Sequence, residues 1–113
     1  MERDRIYFLD MVEAARLAVS YVEGVSEAAF LEDTQLQDAV IRRLEIVGEA
    51  ARRVSAATRH SLPEVPWMEV VGMRNLVIHE YDDVDLNIVW DTVRNHLPPL
   101  IAILDPHVPR EGG

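Results

Sequence analysis

One stretch limits the possible folds more than any other. Leu36, Val40, Leu44, Val47, Ala51 and Val54 follow one another at steps of 4, 4, 3, 4 and 3 with no proline among them. That rhythm places all six on one face of an α-helix of about six turns. A half-buried strand would need alternation at every second residue, and no segment of the chain has it. Ile6, Leu9, Val12, Val19 and Val22 recur at helical spacing on an earlier helix that Gly24 stops. Ser26 to Leu31 reads as a single turn that packs Phe30 and Leu31 under the long helix, with Thr34 as N-cap of that helix. Pro63 and Pro66 then break the chain, and Pro66 fits the first turn of a third helix through Trp67, Val70, Val71 and Leu76 that frays near His79. Asp85 can cap a fourth helix carrying Leu86, Val89, Val93, Leu97, Leu100 and Leu104, in which Pro98 and Pro99 should cause a kink or a brief break. With 113 residues there is room for one core. The expected architecture is all-α: an up-and-down bundle of four main helices in a single domain, residues 1–105, followed by a frayed tail, 106–113.

The chain contains no cysteine, which excludes disulfides, thiolate metal sites and a cysteine nucleophile. No apolar run approaches the roughly 20 residues of a membrane helix. The opening Met-Glu-Arg-Asp-Arg is unlike a signal peptide, so a cytoplasmic location with no membrane partner is expected. A net charge of −9 taken whole speaks against a general nucleic-acid binder. The distribution is uneven: residues 1–33 carry −5, residues 34–60 carry +2 and residues 61–113 carry −6. Every cation is an arginine, the side chain best suited to forked pairing with phosphate or carboxylate, although genomic base composition would produce the same bias.

Polar chemistry gathers in one string, Gly72-Met73-Arg74-Asn75-Leu76-Val77-Ile78-His79-Glu80-Tyr81. On an ideal α-helix Arg74 and Tyr81 fall within roughly 20° of one line, with Asn75 and His79 stacked on the adjacent strip. The four can border one pocket. An arginine beside a histidine, with no carboxylate cluster at metal-ligand spacing, suits phosphodiester chemistry without a metal. Histidine moves a proton near neutral pH and arginine holds the phosphate as its charge grows. RNA supplies its own nucleophile in the 2′-hydroxyl. One histidine does not easily serve as both base and acid, which is a reason to expect a site shared across a two-fold dimer.

The spacing Arg74-x4-His79-x-Tyr81 resembles the R-x4-H-x-Y signature of HepT-like toxins in the HEPN superfamily. The flanks agree, Gln37 to Ala50 resembling that family's second helix and Val84 to Trp90 its fourth, so the likeness spans about residues 5–104. The resemblance implies a helical, homodimeric, metal-independent endoribonuclease, the toxin of a toxin–antitoxin pair. It makes Arg74 and His79 catalytic and Asn75 a supporting polar neighbour. It implies a minimal nucleotidyltransferase antitoxin that transfers AMP from ATP to Tyr81, the ATP being used by the antitoxin, so that this chain carries no cofactor of its own. Asp82-Asp83 stands where many relatives have Phe-Gly, which adds acid beside the motif.

Each of these residues also has a structural reading. His79 can serve a helix C-terminus, Arg74 can pair with Glu69, Glu80 or Asp82, and Tyr81 can be a half-buried tyrosine. Arg42, Arg43, Arg52, Arg53 and Arg59 can face RNA, but Glu45 and Glu49 lie at pairing distance along the same helix. Gly48 and Gly72 within helical patterns point to close helix approach, at a dimer seam for instance. Trp67 and Trp90 read as core anchors; His60, His96 and His107 have no assigned role. The rival function is a catalytically inactive helical dimer module that binds the nucleotidyltransferase.

Overall fold

The computed structural model describes residues 2–76 and 85–109, and those residues contain helices and no strand. Helix α1 runs Glu2–Tyr21, α2 Glu27–Glu32, α3 Thr34–Arg53, α4 Ala56–Ser61 and α5 Trp67–Gly72. A 3-10 turn, Met73–Leu76, continues α5. Helix α6, Leu86–Asp91, passes through a π-helical turn, Thr92–His96, into α7, Leu97–Leu104, and a final 3-10 turn covers Asp105–His107. The four main helical units of an all-α bundle are therefore α1, α3, α5 with its 3-10 extension, and the α6–α7 run. None of the described helices is long and apolar enough to cross a membrane.

The stripe on α3 is the centre of the bundle. Val40, Leu44, Val47 and Ala51 have no solvent exposure, and the row is closed by Val54, which caps the helix C-terminus. α1 lies along α3, and α5 with its 3-10 turn packs against another part of it. Asp33 rather than Thr34 is the N-cap of α3, its carboxylate accepting from the Leu36 amide at 3.0 Å; the charged side chain one residue earlier takes the capping position. Phe30 is fully buried and packs 5.3 Å from the Trp90 ring, whereas Leu31, expected beside it, is exposed.

The expected apolar stripe of α1 is buried in part: Val12 and, just past the helix, Val22 are in the core, but small and aromatic residues supply much of the rest. Phe8, Met11, Ala15, Ala18 and Val22 line the core, while Ile6 is 56% exposed and Leu9 and Val19 are half-buried. The alanines allow α1 to approach α3 closely, so small residues mark the interface where large ones were expected. Asp4 lies on the same side and is buried. Its carboxylate accepts hydrogen bonds from the Ser55 amide, the Ser55 hydroxyl and the Thr58 hydroxyl. Burial by itself would raise the pKa of this group. The two hydroxyls and the amide more than offset that and hold it below the ordinary aspartate value. This contact ties the start of α1 to the start of α4, a short helix that hydrophobic periodicity does not reveal because none of its residues is buried.

Two proline expectations change in detail. Pro66 stands just before α5 as its N-cap residue instead of within its first turn. Pro98 and Pro99 neither end nor break the last helix. Lacking amide hydrogens, they cannot donate to carbonyls in the preceding turn, and the helix widens so that the Leu97 amide reaches the Thr92 carbonyl five residues back.

Candidate active site

Arg74 and Asn75 occupy the 3-10 turn after α5. Buried Val70 and Met73 fix this segment to the core, and α3 supplies the floor beneath it. Gly48 makes the approach possible. A Cβ at position 48 would lie 2.5 Å from the Arg74 amide nitrogen, 3.0 Å from the Val71 carbonyl oxygen and 3.1 Å from the Arg74 Cβ. Only glycine leaves room for the backbone at that distance. The close helix approach read from Gly48 is thus an intrachain contact with the motif arginine itself. Gly72 meets nothing within 4 Å among the described residues, so no such contact requires it.

The next residue on α3 acts on the Arg74 side chain. The Glu49 carboxylate faces the guanidinium, with Oε2 3.6 Å from Nε, whereas Glu69, expected from local sequence, makes no such pair; Glu80 and Asp82 lie outside the described residues. Glu49 also binds Arg52 at 2.8 Å and Arg53 at 3.6 Å. The hydrogen bond from Arg52 is the main cause that holds the Glu49 carboxyl below its ordinary range, with the charges of Arg52, Arg74 and Arg53 adding to it. Glu49 therefore stays ionised at any pH near neutrality. Among the described residues Arg74 makes no other ion pair or hydrogen bond, which leaves its terminal Nη groups available for a fork onto a phosphate.

Two other arginines of the basic segment, Arg42 on α3 and Arg59 on α4, make structural contacts. Arg42 pairs with Glu45 at 2.6 Å, the intrahelical contact expected from spacing. Arg59 is structural: it donates to the carbonyls of Ala51, Arg52 and Val54 at the end of α3 and lies 5.8 Å from the centre of the Trp67 ring. Trp67 is held in turn by its indole donating to the Arg59 and Leu62 carbonyls.

Two concavities flank this region. A groove of about 400 Å³ is bordered by Tyr7, Arg42, Glu45, Glu49 and Arg53. A cleft of about 420 Å³ runs between α5 and the α6–α7 helix, lined by Val70, Met73, Ile88, His96 and Leu100; neither Arg74 nor Asn75 borders it. Among the described residues no three His, Asp or Glu side chains are grouped as metal ligands would be.

Asn75 is exposed beside Arg74. His79, Tyr81, Asp82 and Asp83 lie outside the described residues. The ideal α-helical phase that aligned Arg74 with Tyr81 does not apply at the start of the string, because residues 73–76 turn at three residues per turn instead of 3.6. Sequence reasoning assigned Glu49 only to its own helix; its place beside Arg74 depends on the packing of α5 on α3. The adjacent Gly48 was the available signal.

The family model described as ribonuclease HepT-like matches residues 11–106. A protein of Thermococcus cleftensis named probable ribonuclease HepT is 38% identical over 94 residues, covering 83% of this chain and 86% of its own length. A candidate RNase of Caldanaerobacter subterraneus subsp. tengcongensis is 35% identical over 100 residues, 88% of this chain and 89% of the relative. A candidate RNase of Methanocaldococcus jannaschii is 33% identical over 96 residues, 85% and 88% respectively. No solved structure matches. With the match running from the middle of α1 to the end of α7 and enclosing the Arg74 platform, the chain belongs to the HepT-like ribonuclease family.

Proposed function

We propose that this protein is the endoribonuclease toxin of a toxin–antitoxin pair, cleaving RNA without a metal through Arg74 and His79 at the interface of a homodimer. The observation that carries the reading is the treatment of Arg74. Its backbone is seated against Gly48, its guanidinium faces Glu49 through Nε, and it precedes His79 by five residues within the family match. A side chain prepared in this way loses little freedom when it grips a phosphate.

The chemistry balances with the residues available. His79 takes the proton from the ribose 2′-hydroxyl, and the 2′-oxygen attacks the adjacent phosphorus in line. The bond from phosphorus to the 5′-oxygen breaks, and the leaving oxygen takes a proton from the partner subunit's His79. The products are a 2′,3′-cyclic phosphate and a 5′-hydroxyl. Arg74 stabilises the charge on the phosphoryl oxygens, and Asn75 supplies a neutral donor beside it. Transfer of AMP to Tyr81 by a nucleotidyltransferase antitoxin would add bulk and negative charge where the RNA phosphate must approach, and so silence the enzyme.

The test is cleavage of labelled tRNA and a model messenger in EDTA, with intact mass recorded for every preparation. Wild type is expected to leave cyclic-phosphate ends, and Arg74→Ala and His79→Ala to remain folded and inactive. Cleavage that persists in both variants refutes the assignment. An unmodified wild type that neither cuts nor poisons cells on expression supports the inactive partner-binding module instead.

A further inference from the structure

The charge around Glu49 is unbalanced. Other carboxylates on this face have a single arginine, as Glu45 has Arg42, but Glu49 is surrounded by Arg52, Arg53 and Arg74. Among the described residues, one negative charge against three positive ones leaves this cluster, the motif arginine included, with a net charge of +2. Their usual structural duty has been assigned elsewhere. Basic side chains in the last turn of a helix commonly satisfy its terminal carbonyls, and at the end of α3 that task belongs to Arg59, which donates to the carbonyls of Ala51, Arg52 and Val54. Arg52 and Arg53 keep their guanidiniums at the surface, with side chains 48% and 56% exposed.

Their position in the chain's charge pattern is equally selective. Residues 34–60 are the one basic segment, +2 between segments of −5 and −6. Within that segment Arg52 and Arg53 stand at the end of α3, where they share the one carboxylate of Glu49 with Arg74. Because a single carboxylate bridges the three guanidiniums, a phosphate seated on Arg74 has the next phosphate of its strand within reach of Arg52 and Arg53.

We propose that Arg52 and Arg53 form a phosphate-binding subsite for single-stranded RNA, holding the phosphodiester that flanks the one cleaved at Arg74. This rests on the ribonuclease reading above. The subsite contributes to affinity and register without recognising bases, since phosphate contacts carry no direct sequence information.

The experiment measures binding of a 5′-fluorescein-labelled mixed-sequence 12-nucleotide RNA by anisotropy across a salt series. It uses full-length His79→Ala protein so that the probe stays intact. Adding Arg52→Gln and Arg53→Gln is expected to weaken binding about tenfold or more near 0.1 M salt. It should also flatten the slope of log affinity against log salt by about 0.7, the value for one lost phosphate contact on a single strand. The pair Arg52→Lys and Arg53→Lys keeps the charge and should retain most of the slope. Arg16→Gln with Arg94→Gln removes the same charge from other faces and should leave the slope as it was. The proposal is overturned if the Arg52/Arg53 glutamine pair binds with the parent slope, or if the Arg16/Arg94 pair flattens it equally. Thermal melts accompany each protein, and if the glutamine pair does not fold, the two single variants are each expected to lose about half the slope change, with no change in either overturning the proposal. Wild-type cleavage is assayed in parallel: absent cleavage refutes the ribonuclease reading, whereas cleavage with an unaltered slope refutes the subsite alone.

Discussion

Gly48→Ala tests the architecture of the site with one carbon atom. At an unconstrained helix position the change would stabilise the protein by up to about 1 kcal/mol, because alanine is the better helix former and restricts the unfolded chain. Here the new methyl would stand 2.5 Å from the Arg74 amide nitrogen and 3.0 Å from the Val71 carbonyl oxygen. Both neighbours are backbone, so neither can turn aside as a flexible side chain would, and the segment carrying Arg74 must move away from α3 by roughly 1 Å to restore ordinary contact. Overpacking of this kind costs about 1–3 kcal/mol. Set against the propensity gain, the net loss is about 0–2 kcal/mol, and Tm should fall by up to roughly 10 °C for a domain of this size. The same displacement would carry the Arg74 guanidinium away from the phosphate position proposed for it, and misplacement by about 1 Å can cost 100-fold in rate. Gly72→Ala is the internal control, since its Cβ meets nothing within 4 Å among the described residues. It should hold or slightly raise Tm and retain cleavage. Thermal melts by circular dichroism and initial rates of RNA cleavage on both variants decide the matter. If Gly48→Ala melts at or above the wild-type temperature and cleaves at the wild-type rate, the close approach of Arg74 to α3 is not what the site depends on.

Two further predictions follow from the polar contacts. Glu49→Gln removes the charge facing Arg74 while keeping an acceptor for Arg52. kcat for RNA cleavage should fall about tenfold through lost positioning, while KM stays level or falls because a negative charge has left the RNA path; an unchanged kcat would count against positioning. Since Arg52, Arg74 and Arg53 keep Glu49 ionised to below its ordinary range, no Glu49-dependent step should appear in the wild-type pH–rate profile above about pH 5. Asp4→Asn removes a buried charge that accepts three hydrogen bonds from Ser55 and Thr58 and should cost about 2 kcal/mol at pH 7, measured by urea denaturation. Asp4 is held below its unfolded pKa, so its contribution is complete above about pH 5 and disappears as pH falls through the depressed folded value. The stability gap between wild type and variant should therefore close in acid, and a gap of constant size down to pH 2 would show that the charge is not its source.

The helices were legible in the sequence wherever large apolar residues recur over several turns, as on α3 and along α6–α7. Where burial depends on small residues the signal is misleading. Val12 and Val22 are buried as their spacing suggests, but Ala15 and Ala18 take core positions while Ile6 is exposed, because the distance between α1 and α3 selects side chains by size as well as polarity. Helix α4 escaped notice since it buries nothing and is held by Asp4, a residue 51 positions before Ser55. The site shows the same division. Arg74 and Asn75 stand out through their spacing in the motif string, and Gly48 is conspicuous as a glycine within a helix. That Gly48 and Glu49 serve Arg74 is a consequence of α5 packing on α3, a long-range relation that no periodicity encodes.

The same packing gives an acidic chain a place where the RNA strand of the proposed function could bind. A net charge of −9 would repel a polyanion if it acted as one distant charge, but at physiological ionic strength the Debye length is about 8 Å. Within that distance of Arg74 the described charges at Glu49 are three guanidiniums facing one carboxylate, a local excess that the net charge of the whole chain does not reveal. The long-range field still acts on strands approaching other faces. The distribution of charge thus favours one approach, along the end of α3, and disfavours indiscriminate coating with nucleic acid. Gly48 and Glu49 sit where this approach meets Arg74, one admitting its backbone and the other directing its side chain. On this account α3 uses opposite faces for opposite purposes: the buried stripe from Val40 to Val54 holds the bundle together, and the face with Glu49, Arg52 and Arg53 carries the cations proposed to guide a strand toward Arg74.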